Sequence, residues 1–382
     1  MMPPDISRGE VAWRFGMDGD ALRKPLSGVG QYIYKLCCEI EALLPAASFF
    51  VYTRLPAERL ALPSARWQVR QEPWALVRKL PSFLWLKTRG AALARRDQLD
   101  VFWAGRTIHP GRGVARKMVV TVHDLNHRLV PETMERITRL SHVLWFERDV
   151  RSADVVLSNS QGTSDRLLHW VGRAADGIVR PGVTPAFRPF DALEKELAHP
   201  ALAAFGIKPP YLLAVSTLEP RKNMEALVDA FVLLKQQGLI PDHQLVLVGA
   251  RGWQNHTLAS KIQAHAALGI VLPGYVPDEL MPAVYALSAG LAMPSLYEGF
   301  GMPVQEARAA GVPVLVSDVP ELREAAHGEA IIVSPDVTAI AAGLRQMLDA
   351  RPLGSKGASG AIQSWRESAE GLLEMLQQRS RA

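Results

Sequence analysis

The chain has 382 residues, of which 48% are hydrophobic and 21% charged, an ordinary globular composition at a length that suits two domains. Its two cysteines, Cys37 and Cys38, are adjacent and cannot form an ordinary disulfide, which argues against a disulfide-stabilised scaffold and favours a reducing, cytoplasmic setting. The N-terminal residues mix charges with prolines, unlike a secretory signal.

Short apolar runs alternate with longer helical patterns along the chain. Continuous β-branched runs are typical of strands that are covered on both faces, as in parallel sheets. In the first half the predicted strands are Val11–Met17, Phe49–Thr53, Val101–Ala104, Met118–Val122 and Val155–Ser158. In the second half they are Tyr211–Ser216, Leu245–Gly249, Ile270–Leu272, Gly290–Met293, Pro313–Val316 and Ala330–Val333. The sequence therefore predicts two doubly wound α/β domains.

A basic and aromatic segment runs from Arg66 to Arg96 and contributes to the net charge of +5. It holds eight basic residues and one acid, Glu72, interleaved with tryptophans and leucines. Such a segment can lie on an anionic bilayer, and the side chains expected to do so are Arg78, Lys79, Trp85, Lys87 and Arg89. The other interpretation is a solvated face whose aromatic side chains pack on the core. No nucleic-acid-binding motif accompanies the segment, so a nucleic-acid partner is not expected.

Two histidines follow the predicted strand Met118–Val122. His123 lies at the carboxyl edge of that strand, followed by Asp124, and His127 comes three residues later. The run His-Asp-Leu-Asn-His is close to the zinc motif His-Glu-x-x-His, but that motif needs a helix to place both imidazoles on one face. The strand therefore disfavours a zinc hydrolase, and His127 is expected in a loop.

The domain boundary is predicted near 180–188, where two prolines and a glycine interrupt regular structure. We expect an N-terminal domain over residues 1–187 and a second domain over 188–360. Residues 361–382 are expected to form a closing helix with an apolar face that crosses back to the N-terminal domain.

Arg221 and Lys222 follow the predicted strand Tyr211–Ser216 and precede a helix that Asn223 is expected to cap. Ligands of open α/β sheets bind at the carboxyl ends of strands, and helix N-termini favour anions. A forked guanidinium and a compact ammonium together suit a diphosphate. Taken alone, the pair could equally be a solvated part of a loop.

An uncharged stretch of 18 residues, Leu280–Tyr297, is close to the minimum length of a membrane span. It contains two prolines and a glycine, so it is expected to form a short helix, Asp278–Leu287, and a buried strand, Gly290–Met293.

Two glutamates, Glu298 and Glu306, follow that strand. Glu298 lies in a loop with Gly299 and Gly301, where backbone amides can approach a ligand. Glu306 lies in the first turns of a helix whose first turn suits Pro303. Both carboxylates could accept hydrogen bonds from sugar hydroxyls. Glu306 could instead stabilise the helix dipole by about 0.3–1 kcal/mol, and Glu298 could be a solvated loop acid.

At this point the chain resembles a known family. The Glu-Pro-Arg-Lys-Asn loop, followed by Glu-Gly-Phe-Gly-Met-Pro and a second glutamate, is similar to the donor site of retaining GT-B transferases of glycosyltransferase family 4. The Ser-Gly-Val-Gly run at 27–30, the Val-His-Asp run at 122–124 and the Gly-Tyr-Val run at 274–276 resemble further motifs of that family, and the helix near Ser364 resembles its closing helix. The resemblance covers most of the chain and implies two Rossmann-like domains that face a central cleft.

The resemblance also implies a role for each residue. Arg221 and Lys222 would hold the donor diphosphate and neutralise charge as the nucleotide leaves. Glu306 would bind the ribose, and Glu298 would hold hydroxyls of the donor sugar. The remaining donor-site positions are Gly28 and Gly30, in a loop that closes over the phosphates, and Val276, Gly299, Phe300 and Gly301. His123 would lie beside the transferred sugar with Asp124 in support, and Gln31 departs from the arginine found in many relatives.

The chemistry is consistent with fixed cations in place of a metal. Breaking a sugar–diphosphate bond leaves negative charge on the nucleotide, which a divalent metal or fixed cations must stabilise. The predicted donor loops around Arg221 and Lys222 and around Glu298 and Glu306 have no Asp-x-Asp triplet of the kind that holds a metal against a diphosphate; the triplet Asp18-Gly19-Asp20 lies in the first half of the chain. We therefore expect no metal and no cofactor, with the nucleotide-sugar as a substrate.

Retention of the anomeric configuration, GDP-mannose as donor and a lipid-linked saccharide as acceptor follow from likeness to bacterial surface-polysaccharide enzymes. A UDP- or dTDP-sugar is the alternative donor, because no residue identifies the base. A non-hydrolysing sugar-nucleotide epimerase, a glycogen phosphorylase relative and a non-catalytic sugar-nucleotide-binding protein are further alternatives. The expected location is the cytoplasm, with peripheral contact to the inner face of the plasma membrane.

Overall fold

The computed structural model describes residues 12–250, 256–349 and 362–378. The chain forms two compact units. The first comprises the chain up to Gly182 together with the chain from Gln363, and the second is Val183–Ile362. The division between the units falls inside the stretch 180–188 where the boundary is predicted, five residues before the expected end of the first domain at 187.

The first unit is built on a seven-stranded parallel sheet with strand order β3-β2-β1-β4-β5-β6-β7. Its strands are β1 (Arg14–Asp18), β2 (Ser48–Thr53), β3 (Trp67–Gln71), β4 (Leu99–Ala104), β5 (Ala115–Val122), β6 (Val155–Ser158) and β7 (Gly177–Ile178). Its helices before the division are α1 (Gly28–Leu43), α2 (Ser82–Trp85), α3 (Ala91–Arg96), α4 (Asn126–Leu129), α5 (Arg136–Ser152) and α6 (Gln161–Val171).

The second unit is built on a six-stranded parallel sheet with strand order β10-β9-β8-β11-β12-β13. Its strands are β8 (Tyr211–Val215), β9 (Gln244–Val248), β10 (Ile270–Gly274), β11 (Gly290–Met293), β12 (Val314–Ser317) and β13 (Ile331–Val333). Its helices are α7 (Ala192–Ala203), α8 (Met224–Gln236), α9 (His256–Ala264), α10 (Met281–Ala286), α11 (Met302–Ala309), α12 (Pro320–Ala326) and α13 (Val337–Asp349). Buried aliphatic side chains cover both faces of this sheet, as the continuous apolar runs predict.

The sequence prediction missed β3 and β7. Only the first residue of β3, Trp67, is buried, because this strand is the edge of the sheet and carries polar side chains. β7 has two residues, and its Gly177 leaves no room for a side chain: a Cβ there would lie 1.8 Å from the sulfur of Met375. The apolar pattern on which the prediction depends is therefore weak in both strands.

The closing helix, α14 (Trp365–Gln378), belongs to the first unit. It packs against α1, and Ser368 donates a hydrogen bond to the carbonyl of Arg180 at 2.7 Å. Lys117 of β5 donates to the carbonyl of Leu376 at 2.6 Å. The C-terminal helix thus completes the fold of the N-terminal unit.

Most of the basic segment 66–96 is bound to its own unit. Arg66 donates to four backbone carbonyls, and Arg70 forms an ion pair with Asp97 at 3.0 Å. Trp85 is buried, and its indole N–H donates to Glu72 at 3.0 Å.

Further contacts hold the later residues of the segment: Lys87 is paired with Asp149 at 2.5 Å, Arg89 is paired with Glu72, and Arg78 donates to the carbonyl of Glu72. The structure favours the packed interpretation for Trp85 and Lys87, whose side chains are held inside the unit.

The stretch Leu280–Tyr297 contains α10 and β11, as predicted, although the helix is shorter than expected. Within the described ranges, no helix has the length and apolar character required to cross a bilayer.

Candidate active site

The strand order of the second unit places its polar loops at the centre of the sheet. β8 and β11 are neighbours, and the chain winds outward from them in opposite directions. At such a switch point, the loops that leave the two strands diverge and open a crevice at the carboxyl edge. Arg221 and Lys222 follow β8, and Glu298 follows β11, so the sequence motifs meet at this crevice.

These three side chains form a single ionic cluster. The Lys222 ammonium donates to Glu298 Oε1 at 2.5 Å, and the Arg221 guanidinium donates to Glu298 Oε2 at 3.1 Å. Ser295 adds a hydrogen bond to Oε1 at 2.7 Å, and Glu219 accepts from the Arg221 Nε–H at 3.0 Å. The Glu298 carboxylate therefore fixes the positions of both cations.

Burial makes these contacts energetically important. Lys222 and Glu298 are both buried. Burial and the neighbouring Arg221 lower the pKa of Lys222, although Glu298 counteracts them. Burial opposes ionisation of Glu298, but Lys222 and Arg221 outweigh it and hold the pKa of this carboxyl below its usual range. The cluster is thus ionised and internally compensated, which orients its donors in advance of any ligand.

Asn223 does not cap α8 with its side chain, contrary to expectation. Its backbone adopts the left-handed conformation at φ 58°, and its amide donates to the carbonyls of Pro294 and Pro335 at 3.1 and 2.8 Å. Asparagine tolerates this conformation better than most residues. The side chain therefore ties the loop after β8 to the loop that carries Glu298.

Glu306 is held by a buried phenol. It lies on α11, which begins at Met302 with Pro303 in its first turn, as predicted. The Tyr285 hydroxyl donates to Glu306 Oε2 at 2.6 Å, and burial raises the pKa of Tyr285 far above its ordinary value. The hydroxyl therefore remains protonated and holds the carboxylate in a fixed orientation.

At the other predicted donor-site positions of the second unit, the main chain rather than a side chain could contact a ligand. Val276 and Phe300 are buried in the same apolar core, so only their main-chain groups could face a ligand. Gly301 has φ 106°, and a side chain there would lie 2.7 Å from Leu322. Glycine at 301 is therefore required both by the backbone conformation and by the space available. Gly299 lies between Glu298 and Phe300 in the loop that precedes α11.

In the first unit, β1 and β4 form the corresponding switch point, and His123 follows β5, the next strand. The Nε2 atom of His123 lies 2.7 Å from the carbonyl of Gly105, which follows β4, and its ring packs edge-on against Tyr32. A carbonyl can only accept, so Nε2 carries the hydrogen and Nδ1 is the acceptor in the neutral ring. Burial lowers the pKa of His123, which keeps the ring neutral at pH 7.

Asp124 does not bond to His123. Its carboxylate accepts from the backbone and the side-chain amide of Asn126 at 3.1 and 2.9 Å, so its described hydrogen bonds stabilise the turn into α4. His127 lies on α4, not in a loop, with its ring packed on Phe146. His123 is outside that helix, so the two histidines do not form a helical zinc motif. The described residues contain no cluster of three or more His, Cys, Asp or Glu side chains suited to a metal ion.

Gly28 and Gly30 lie in the first turn of α1 and not in a loop, which corrects the sequence expectation. The Ser27 hydroxyl accepts from the Gly30 amide at 3.2 Å and caps the helix. A side chain at Gly30 would lie 3.2 Å from the carbonyl of Ala21, so this glycine allows α1 to approach the preceding turn. The N-terminus of α1 still favours an anion through its dipole.

Sequence reasoning missed several residues at these edges. Ser295 and Tyr285 hold the two glutamates, but a serine after a strand and a tyrosine in an apolar helix carry no distinctive signal. Asp18 ends β1 and is buried, and burial together with Asp20 raises its pKa to about 7. The signal for Asp18 is its position, since it is an acid that directly follows the buried residues Phe15–Met17 at the carboxyl end of the strand.

Comparison with known proteins agrees with this geometry. Residues 201–363 match the family model described as glycosyl transferases group 1. Over 380 residues the chain is 30% identical to O-antigen chain mannosyltransferase B of Escherichia coli, covering 94% of each chain. The chain belongs to the group 1 glycosyl transferases. This protein is therefore an enzyme that transfers a glycosyl group.

Solved structures support the same fold for this transferase. Sucrose-phosphate synthase from Thermosynechococcus elongatus matches with a TM-score of 0.74 at 21% identity, over 97% of this chain and 99% of that one. An Anabaena HepE structure in complex with UDP and glucose matches with a TM-score of 0.64 at 16% identity, over 97% and 98%. The two parallel-sheet units are those of the GT-B glycosyltransferases, which confirms the predicted fold class.

Proposed function

We propose that this transferase moves mannose from GDP-mannose to a lipid-linked saccharide in the synthesis of a bacterial surface polysaccharide, with retention of the anomeric configuration. The observation that carries the proposal is the 30% identity, over 94% of both chains, to O-antigen chain mannosyltransferase B. Similarity along the whole chain includes the first unit, so it supports a related acceptor as well as a related donor.

The ionic cluster is proposed to bind the donor. Arg221 and Lys222 bind the diphosphate and stabilise the charge that develops as the nucleotide leaves. A carboxylate has about four acceptor positions. The described contacts of Glu298 fill two on Oε1 and one on Oε2, so Oε2 has capacity for a donor-sugar hydroxyl. Glu306, oriented by Tyr285, binds the ribose hydroxyls.

The first unit is proposed to contact the transferred sugar and the acceptor. The neutral His123 accepts a hydrogen bond from a sugar hydroxyl at Nδ1, because its Nε2–H is used by Gly105. In the reaction, the bond between the sugar C1 and the diphosphate oxygen breaks, and a bond from C1 to the acceptor oxygen forms on the same face. The acceptor proton passes to the departing diphosphate. No cofactor takes part.

A donor comparison tests this proposal. The purified enzyme is incubated with GDP-mannose, UDP-glucose or a dTDP-sugar, with and without a lipid-linked saccharide acceptor, and the released nucleoside diphosphate and the product are measured. We expect acceptor-dependent release of GDP and an α-mannosyl product by NMR. Preference for a UDP- or dTDP-sugar would replace the donor, and an inverted product would contradict retention. An epimerised sugar-nucleotide without transfer would overturn the proposal.

Metal dependence is a second, independent test. Because Arg221 and Lys222 supply the positive charge, we expect EDTA to leave the initial rate unchanged. Loss of activity that magnesium or manganese restores would show that the fixed cations do not suffice.

A further inference from the structure

Helix α5 of the first unit places its large aliphatic side chains on the outside. A surface helix normally turns its apolar stripe toward the core. In α5 the side chains of Ile137, Leu140, Val143 and Leu144 are 51–65% exposed. Their spacing of three, four and seven residues puts them on one face of the helix. A contiguous apolar face of this kind marks an interaction surface.

α5 buries polar side chains at two positions of its inner side, although its large aliphatic side chains face outward. Asp149 is buried and accepts from Lys87 at 2.5 Å and from the backbone amide of His109 at 3.0 Å. Ser141 is also buried, and its hydroxyl donates to the carbonyl of Thr138 at 2.7 Å. The Asp149 contacts reach residues outside α5 and so fix the rotation of the helix, which keeps the aliphatic face toward solvent.

The charges on this helix favour an anionic partner. Arg136 and Arg139 are exposed beside Ile137 and Leu140, and Arg148 is exposed one turn beyond Leu144. The helix has two acids, both already compensated. Asp149 is buried against Lys87, as above, and Glu147 forms ion pairs with Arg128 and Arg151. Glu132 and Glu135 precede the helix and are exposed.

The segment before α2 carries further exposed apolar side chains, and α2 itself contacts α5. Phe83 of α2 packs against Trp145 of α5 with 5.0 Å between ring centroids. The segment that leads into α2 carries Trp74 and Leu76, which are 67% and 80% exposed. Tryptophan and leucine beside arginine are the residues that enter the headgroup boundary of a bilayer.

We propose that the outward face of α5, comprising Arg136, Ile137, Arg139, Leu140, Val143 and Leu144, docks this enzyme on an anionic lipid bilayer. A second copy of the chain is the less suitable occupant. A second copy would have to bury the exposed Arg136 and Arg139 against a face that offers them no acid, whereas anionic headgroups pair with them.

The docked surface lies close to the candidate acceptor edge. His142, between Leu140 and Val143, points inward, and its ring lies 5.4 Å from that of His127. Asp124, which follows β5, is close enough to act electrostatically on His142. A bilayer against α5 would therefore hold the polar edge of the first unit near lipid-linked molecules. The docking proposal itself does not depend on the identity of the sugar or of the nucleotide.

Co-sedimentation with vesicles tests the proposal without any substrate. The full-length enzyme is mixed with phosphatidylglycerol–phosphatidylethanolamine vesicles or with phosphatidylcholine vesicles across a range of salt concentrations. We expect binding to the anionic vesicles that weakens as salt is raised, because exposed charges are screened. In the triple variant Ile137→Gln, Leu140→Gln, Leu144→Gln, the bound fraction should fall at least about fivefold. Glutamine retains helix propensity and suits exposed positions.

The matched control lies in the second unit. Leu193 and Leu197 of α7 are 63% and 70% exposed, and Leu193→Gln with Leu197→Gln should leave vesicle binding unchanged. A second variant, Arg136→Gln with Arg139→Gln, should reduce both the binding and its salt dependence. Far-ultraviolet circular dichroism and turnover on a soluble acceptor analogue verify that each variant is folded.

Three results would overturn the proposal. The first is no binding of the wild-type enzyme to anionic vesicles at low salt, and the second is wild-type binding by the folded triple variant. The third is conversion of a wild-type dimer to a monomer by the triple variant in light scattering, which would assign the face to a second copy. Failure of mannosyl transfer with intact vesicle binding would affect only the proposed function.

Discussion

The carboxyl edges of the two sheets handle charge in opposite ways. In the second unit, Arg221, Lys222 and Glu298 are ionised and paired in a buried cluster. In the first unit, burial lowers the pKa of His123 and raises that of Asp18 to about 7, so both groups are driven toward their neutral forms. The second edge therefore holds a buried cluster of paired charges, whereas at the first edge burial favours the neutral forms of His123 and Asp18 and the nearby cation, Arg106, is exposed.

This difference matches the chemistry of glycosyl transfer. A diphosphate carries charge that a water-poor site must compensate with cations, whereas sugar hydroxyls are neutral and need donors and acceptors. The comparison supports the proposal that the second unit binds the nucleotide diphosphate and the first binds hydroxyl groups.

Removing the charge of Lys222 should have the largest effect. We expect Lys222→Met to lower the turnover number by about 10²–10³-fold, the range for loss of one well-placed electrostatic group. Glu298 would also lose a buried partner, which costs stability and complicates a single variant.

The double variant Lys222→Met, Glu298→Gln separates these effects. It removes both buried charges, so we expect thermal stability to recover while turnover stays low. Recovery of turnover together with stability would show that Lys222 serves only the fold, and the charged edge would lose its proposed role.

A change at His123 should have a smaller effect, because it removes a hydrogen bond and not a charge. We expect His123→Phe to lower turnover by about tenfold. Since burial holds the pKa of His123 below its ordinary value, wild-type turnover should not change through this group between about pH 8 and 6.5. A pH–rate profile checks this. A rise in activity on acidification that His123→Phe abolishes would mean that the protonated ring is the active form.

Tyr285→Phe should affect donor binding more than turnover. The change frees Glu306 from its 2.6 Å hydrogen bond, and we expect the donor KM to rise by about three- to tenfold with little change in kcat. Tyr211→Phe is the matched control, since that buried hydroxyl donates to the carbonyl of Val284 and not to Glu306. Equal KM changes in both variants would assign the effect to loss of packing.

Much of the second unit could be predicted from its sequence. The apolar runs at β8 and β11 are continuous and bounded by polar turns, so their carboxyl ends, and the residues that follow them, are fixed by the parallel fold. The meeting of Lys222 with Glu298 follows from the adjacency of these strands. The roles assigned to these residues in the reaction stay predictions.

The predictions that were wrong depend on local three-dimensional detail. Asn223 is a residue type that often caps a helix, but its left-handed backbone turns the side chain toward two carbonyls of other loops. Gly28 and Gly30 are typical of a flexible loop, but they lie in the first turn of a helix that Ser27 caps. The basic segment 66–96 was ambiguous because the acids that bind it, such as Asp149, are distant in sequence. α5 has apolar residues on opposite faces, so its pattern does not say which face is outside.

The smallest expected effect is that of His127 on the free energy of unfolding. His127 is buried against Phe146, and burial, with help from His142, lowers its pKa to about 3. The unfolded chain takes up a proton near pH 6.5, whereas the folded state resists protonation until far lower pH. The stability contributed by the neutral ring is therefore complete above about pH 6.5 and is lost as the pH falls toward 3, by at most about 1.4 kcal/mol per pH unit.

We expect His127→Leu to make the stability of the first unit less sensitive to acid between about pH 7 and 5. Urea unfolding followed by tryptophan fluorescence is the suitable measurement, because eight of the nine tryptophans lie in the first unit and only Trp253 does not. His169→Leu is the control, since His169 is exposed on α6 and should leave the pH dependence unaltered. If both variants retain the wild-type dependence on pH, the His127 ring is protonated or hydrated in the folded state, and the neutral character assigned to the interior of the first unit is wrong at this position.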